Sequence, residues 1–363
     1  MPDSNERNLA VLLAGFGTLA NTFVTGCLLV RKGLLPADGS ITQLPAPALG
    51  CGPAALSDVL GLAPLARMVF GGWSLYPDPM SKIVETIGLA GPEHFEAIRA
   101  ELRAVRPMRG YFDAGSPLVP PGGSYVKNCG SKAEYAEALV KGIQRFQRER
   151  DCPRAVVLWC GSTEWPAAPA PMFETIESFE AGLRRNDAAI TSSQVYAWAA
   201  VKAGAPFACA SPNRAIGFPA LERMAADTAT PLAGEVFRPV SWPLLNRLTG
   251  QLVADSIPAP YWWEGREAEL QEWKPAPGTY SEMFAERRAE LPLLESRRTA
   301  PAMLDVVLLL DWARRQRMQG VQHWLDWFFL QPLTNSEAGG AGQLVRALAD
   351  FVKGRTPGSG GHR

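Results

Sequence analysis

The apolar run Asn8-Leu9-Ala10-Val11-Leu12-Leu13-Ala14 breaks at Gly15-Phe16-Gly17-Thr18-Leu19-Ala20-Asn21-Thr22 and resumes as a helix-forming stretch. A buried strand that ends in Gly-x-Gly-x-x-Ala and opens a helix leaves few folds available. It sets backbone N–H groups and the positive end of a helix where a dinucleotide pyrophosphate can sit. Gly15 permits the tight turn, Gly17 lets the backbone approach the phosphates, and the small Ala20 lets helix pack on strand. Glycine turns after apolar strands also occur as ordinary loops; the strand, the helix and the lack of a leader ahead of them favour the nucleotide fold. One part of the pattern is missing. The acidic residue expected roughly 20 residues on, which holds ribose hydroxyls, has no counterpart: positions 36–48 offer only Asp38, in the turn-like Pro36-Ala37-Asp38-Gly39.

The rest of the chain alternates helices with apolar strands. Phe23–Arg31 reads as helix and the Pro/Gly-rich stretch 33–53 as a loop or short strand pair. Leu65–Phe70 reads as a strand closed by a turn at Gly71-Gly72-Trp73, followed by helices over Pro79–Ile87 and Pro92–Val105 and a loop over 110–123. Ser131 caps a helix to Arg150, with Glu134 placed for a capping box. Arg154–Cys160 and Pro206–Ala210 read as buried strands, Val195–Lys202, Pro301–Leu310 and Val321–Phe329 as apolar helices. The fold class is therefore α/β: a Rossmann-type, mostly parallel sheet with helices on both faces. Between 211 and 299 the texture changes to many prolines, the pair Trp262-Trp263 and charged runs, which predicts an inserted α+β domain. The sheet domain is then discontinuous, 1–210 with 300–353, and 354–363 is a frayed tail.

Charge and cysteine usage exclude several functions. Lysine plus arginine and aspartate plus glutamate number 36 each, so no charge excess points to nucleic acid or an anionic membrane. Six cysteines without C-x-x-C spacing, with only His94, His323 and His362 beside them, argue against a zinc site and against a disulfide framework. Reduced cysteines that act as small apolar residues, in a cytoplasmic protein, are the expectation. No apolar run reaches membrane-spanning length.

Several stretches, in order, resemble the myo-inositol-phosphate synthase family, NAD-dependent isomerases that cyclise glucose 6-phosphate. Gly15–Thr22 is similar to its glycine-rich opening, Val69–Ser74 to its Gly-Gly-Trp-Asp, and Val157–Glu164 to its strand ending in Ser/Asn-Thr-Glu. Ser192–Ala200, Gly204–Phe207 and Ala210–Asn213 follow its Ser-x-x-Tyr-Ala, Gly-x-Pro-Phe/Tyr and Ser-Pro pattern, while Ala300–Asp305 and Trp327–Pro332 are similar to its closing segments. The resemblance implies an NAD-binding domain, an insert that carries catalysis and oligomer contacts, and a homotetramer or dimer. For the cofactor, the glycine turn contributes Gly15, Phe16, Gly17, Thr18, Asn21 and Thr22. Later strand ends add Gly71, Gly72 and Trp73, then Ser162, Thr163 and Glu164, then Ser193. Other readings stay open: Gly71–Trp73 as a structural turn, Glu164 as a helix-capping carboxylate, and Asp113 as a turn residue rather than a neighbour of the nicotinamide.

The departures concern chemistry. The reaction that the resemblance implies oxidises a sugar hydroxyl, forms an enolate that attacks an aldehyde, and returns the hydride, with lysines stabilising the oxyanions and binding phosphate. This chain has Ala226–Pro239 where the family has its lysine segment, keeping only Gly234-Glu235. It has Phe328-Phe329-Leu330 where the family has Phe-Phe-Lys, and no lysine between Lys202 and Lys274. Arginine suits phosphate but stays protonated, so it holds an anion better than it moves a proton. Arg214, Arg238, Arg247 and Arg266 are therefore the anion-binding candidates, Arg238 first and Arg214 second, and Asp227 and Glu235 the acidic candidates for proton transfer. Three functions fit: a sugar-phosphate cyclase or isomerase with altered substrate, an NAD-dependent sugar or polyol oxidoreductase without ring closure, and an inactive NAD-binding homologue.

Overall fold

In the computed structural model, residues 7–112, 123–161, 163–164, 170–238, 248, 290–330 and 341–355 are described, with backbone alone for 290–295. Seven parallel strands form one sheet in the order β3-β2-β1-β4-β5-β6-β7. They are β1 (Leu9–Ala14), β2 (Met68–Ser74), β3 (Met108–Arg109), β4 (Arg154–Trp159), β5 (Phe207–Cys209), β6 (Pro231–Ala233) and β7 (Gly320–Val321). The central strand β1 pairs in register with β2 and β4, Ala14 facing both Trp73 and Trp159. The order reverses between β1 and β4, and in open α/β sheets ligands sit beyond the strand ends at such a point.

The period-two geometry of a strand distributes β1 to two cores. Leu9, Val11 and Leu13 join the layer built by α1 (Thr18–Arg31), α3 (Met80–Thr86), α4 (Pro92–Ala104) and α9 (Glu290–Arg315). Ala10, Leu12 and Ala14 join the opposite layer, with α5 (Lys132–Glu149), α6 (Ile176–Arg184), α7 (Ser192–Lys202) and α8 (Pro219–Asp227). Short α2 (Leu56–Leu60) and amphipathic α10 (Ala341–Val352) complete the described helices. Among the described residues, no helix is long and apolar enough to cross a membrane. All six cysteines are free.

Helix α9 lies along α1 and brings the C-terminal part of the chain back to the sheet. Its Asp305, fully buried, locks the 40–42 loop: Ser40 Oγ and Thr42 Oγ1 donate to it at 2.6 and 2.7 Å, and the Ile41 and Thr42 amides each at 2.9 Å. Burial pushes this carboxyl up to about 6 against the pull of the four donors.

Several expectations are corrected. Residues 211–238 do not open an insert: α8 packs in the α5–α7 layer and β6 pairs with β5 and β7. Leu65–Arg67 is a 3-10 turn, and the strand runs on through Gly71, Gly72 and Trp73 to Ser74. Val321–Phe329 is not an α-helix, because Gln322 N donates to Leu232 O and the chain adds β7 to the sheet edge before a 3-10 turn at His323–Phe328. Apolar runs of this length fit either state until a neighbouring strand claims their backbone groups.

Gly72 sits at φ +150°, and a Cβ there would lie 2.0 Å from the Leu13 carbonyl oxygen. Backbone cannot yield as a side chain can. The Gly72→Ala variant is expected to lose about 3 kcal/mol or more of stability, read as a fall in thermal midpoint and soluble yield; an unchanged midpoint contradicts this packing.

Candidate functional site at the strand ends

Crossover helices run antiparallel to the strands, so strand C-termini and helix N-termini gather at one edge of the sheet. At the switch point Gly15 N donates to Trp73 O at 2.9 Å and Cys160 N to Ala14 O at 2.8 Å, fixing the turn between the two flanking strands. Gly15 has φ +106°, and a Cβ there would come within 2.8 Å of Gly161 N. Two backbones thus touch where the crevice opens. Asn21, fully buried, donates to the carbonyls of Phe16 (2.8 Å) and Gly17 (2.9 Å) and so shapes the loop from within.

Helix α1 begins behind Gly17 with no side-chain cap and no acidic residue in its first turn. Its first-turn amides therefore point outward at the positive helix end. Thr18 Oγ1 and Asn21 Oδ1, both shut away from bulk solvent, have no hydrogen-bond partner among the described residues. The first-turn amides fit a pyrophosphate and the Thr18 hydroxyl can donate, whereas Asn21 Oδ1 is an acceptor and adds nothing to an anion site. The Phe16 ring, 2% exposed, is packed in the core, so only its backbone lies at the turn.

The other cofactor candidates divide. Gly72 is required by packing on the Leu13 backbone, whereas a Cβ on Gly71 would meet the tip of the half-buried Phe146 ring, a side chain that can turn aside. Trp73 turns into the core against Tyr196, ring centroids 5.4 Å apart, and only its carbonyl reaches the glycine turn. Thr163 is exposed at the β4 end; Ser162 and Asp113 lie outside the described residues. Glu164 is buried and caps α7, its two oxygens accepting the Ser192 and Ser193 amides at 2.8 Å each. That is the capping reading. It commits Ser193 as well, whose hydroxyl lies 3.1 Å from Thr191 Oγ1.

Glu164 belongs to a larger network across the ends of β4, β5 and β6. Asn213 Oδ1 accepts Glu164 N at 2.9 Å, Gln194 Nε2 donates to Arg214 O at 3.3 Å, and Ser211 Oγ donates to Gly161 O at 2.9 Å. Glu235 closes it, accepting the amides of Arg214 (2.8 Å) and Ala215 (2.6 Å). Burial raises the Glu235 carboxyl above the ordinary glutamate value, and the facing amides pull it back. Three sequence stretches and the surviving Gly234-Glu235 pair thus form one scaffold. The roles of Asn213 and Gln194 in it required knowing which backbone groups they meet.

Among the acid and cation candidates, Asp227 is corrected. It ends α8, at the opposite edge of the sheet, exposed and paired with Arg223 at 3.1 Å. Arg214 is exposed at the β5 end with φ 49°; Arg247 and Arg266 lie outside the described residues. Arg238 leaves β6 beside the closing aromatic segment: its amide donates to Phe328 O at 2.7 Å and its Nη2 to Phe329 O at 3.2 Å, while its buried Nε has no partner among the described residues. No cluster of three or more metal-ligating side chains occurs among the described residues.

Two variants probe this edge. Gly17 has φ −73° at the N-cap, a conformation and a position that aspartate accepts well, so Gly17→Asp is expected to fold. Its carboxylate would occupy the anion position and weaken NAD about a hundredfold, roughly 3 kcal/mol; unchanged affinity by calorimetry refutes the placement. Glu164→Gln replaces one acceptor by a donor against an amide and is expected to cost about 1–3 kcal/mol, seen as a lower thermal midpoint.

Comparison with known proteins agrees with this geometry. The NAD-binding family model described as myo-inositol-1-phosphate synthase matches residues 9–351. Inositol-3-phosphate synthase 1 of Bacteroides thetaiotaomicron is 31% identical over 233 residues, 63% of this chain and 54% of that protein. The inositol-3-phosphate synthase of Mesembryanthemum crystallinum is 25% identical over 274 residues, 70% of this chain and 53% of its own length. The chain thus spans about half the length of these curated relatives. In fold, it superimposes on the Caenorhabditis elegans inositol-3-phosphate synthase with TM-score 0.71 at 14% identity, covering 98% of this chain and 87% of that one. A myo-inositol-1-phosphate synthase-related protein from Thermotoga maritima gives TM-score 0.55 at 15% identity, covering 97% of this chain and 100% of that one. With the glycine turn, the parallel sheet and the match along nearly its whole length, this chain belongs to the myo-inositol-1-phosphate synthase family and has NAD as its cofactor.

Proposed function

We propose that the protein is an NAD-dependent sugar-phosphate isomerase or cyclase in which arginine takes over anion binding from lysine. The observation that carries this reading is the position of Arg238. An antiparallel bridge pairs Phe237 with Phe329, and the Arg238 guanidinium donates to the carbonyl of Phe329, the peptide that leads into Leu330. Leu330 stands where the family resemblance implies a lysine, so a cation from one strand end lies beside the position vacated on another segment. The orphaned Nε gives it a donor to spare. Arg214, exposed at the adjoining β5 end, is the second cation of this edge.

Bound NAD supplies a reversible hydride acceptor. The chain's own residues supply the rest: Glu164, Asn213 and Glu235 hold the strand-end loops, and Arg238 and Arg214 offer charge-assisted hydrogen bonds to a phosphate or a developing oxyanion. The guanidinium remains protonated and acts by charge and orientation alone. Glu235 is engaged by two backbone amides, which favours a positioning role over proton transfer.

Incubating the full chain with NAD and a panel of sugar phosphates tests the proposal. A cyclitol product without net NADH supports it; stoichiometric NADH favours a simple oxidoreductase, and tight NAD binding without turnover or phosphate-dependent binding favours an inactive homologue. Arg238→Ala is expected to weaken the sugar phosphate ten- to a hundredfold, about 1.5–3 kcal/mol, with NAD affinity intact. Turnover of a phosphorylated substrate at wild-type efficiency by this variant contradicts the arginine assignment.

A further inference from the structure

The end of β2, beside the glycine turn, is where this class of fold meets the adenosine ribose, through an acidic residue that bonds the hydroxyls and repels a 2′-phosphate. In this chain Ser74 is the last residue of β2. Its place is tied to the turn, because the preceding residue, Trp73, accepts the Gly15 amide at 2.9 Å. Ser74 Oγ is neutral and accepts the Tyr76 amide at 3.1 Å.

What stands next to Ser74 is a cation. Ser74 is in register with Arg109 of β3, and registered residues of a parallel pair share a face. Their neighbours Trp73 and Met108 pack into the α5–α7 layer, so Ser74 and Arg109 share the α1 face, where the glycine helix begins. Arg109 is exposed, its guanidinium resting 5.0 Å from the Tyr125 ring centroid with Nη1 3.4 Å from Val126 O. A weak, long contact of this kind leaves the remaining guanidinium donors able to meet a phosphate. The nearby acid after β2, Asp78, is paired with Lys82 Nζ at 2.8 Å.

We infer that Ser74 and Arg109 set the selectivity at the adenosine 2′-position, so that the site takes the 2′-phosphorylated dinucleotide NADP as well as NAD. The inference rests on the dinucleotide site described above and deepens it. Its general logic is electrostatic: removing the carboxylate removes the repulsion, and the guanidinium gives the phosphate a partner.

Calorimetric titration of the full chain with NAD and with NADP is the test. The wild type is expected to bind the two within about tenfold of each other. Ser74→Asp is expected to shift the ratio about a hundredfold toward NAD, and Arg109→Ala to weaken NADP about tenfold while leaving NAD unchanged. Retained NAD binding reports that each variant is folded. A wild type that binds NAD but takes NADP more than a hundredfold more weakly overturns the inference and leaves the NAD site standing, as does a ratio indifferent to both substitutions. Binding of neither dinucleotide overturns the site itself and the inference with it.

Discussion

Everything at the ligand edge depends on one close approach, that of the Gly15 turn to the Gly161 backbone. A side chain on Gly15 would push the turn off the end of β4, its Cβ 2.8 Å from Gly161 N, and one on Gly161 would strike the Trp159 ring of its own strand at 2.7 Å. The crevice at the switch point is thus walled by main chain, which presents N–H groups without side chains in the way. A site made of backbone donors is set before any ligand arrives and needs little reorganisation to meet a phosphate. Gly72, pressed on Leu13, extends the same constraint to the other flank of β1.

Around that crevice, buried acids act as braces. Glu164, Glu235 and Asp305 are each at most 4% exposed, and each accepts hydrogen bonds from amides of a loop or helix end that follows a different part of the chain. An ionised carboxylate is costly to bury unless several donors meet it, and amides left unpaired at a loop or helix start are costly too; each problem solves the other. This explains how Glu164 and Glu235 sit beside a site whose ligand is anionic; Asp305 plays the same bracing part for the 40–42 loop. Their oxygens are taken up by backbone donors, while Arg214 is exposed at the β5 end and Arg238 lies half-buried against Phe329.

The absence of lysine between Lys202 and Lys274 therefore does not empty the edge of cations. Arg238 enters from β6 and touches the Phe328-Phe329 segment, so two stretches far apart in sequence share a single cation. Guanidinium is suited to that arrangement because one side chain can bond a carbonyl and still direct other N–H groups elsewhere.

Much of the sheet domain was legible in the sequence because its signals are local. The period of Leu9–Ala14, the capped start of α5 at Ser131 and the apolar run of β4 each follow from neighbouring residues, and the glycine turn follows from what only glycine permits. The strand β7 and the sheet membership of β6 were not legible, because each depends on a partner strand brought in by the fold, and the remote position of Asp227 follows only from the direction in which α8 lies against the sheet. Glu164 shows the same limit within the site: its sequence context suits a cofactor ligand or a cap equally, and only the Ser192 and Ser193 amides decide between them. The sequence by itself determined the α/β class, the family and the nucleotide turn, since these are written in periodicity and in glycine. Tertiary structure decided which charges are braces and which face a ligand, because a carboxylate's role is set by the donors it meets, and those donors lie tens to hundreds of residues away.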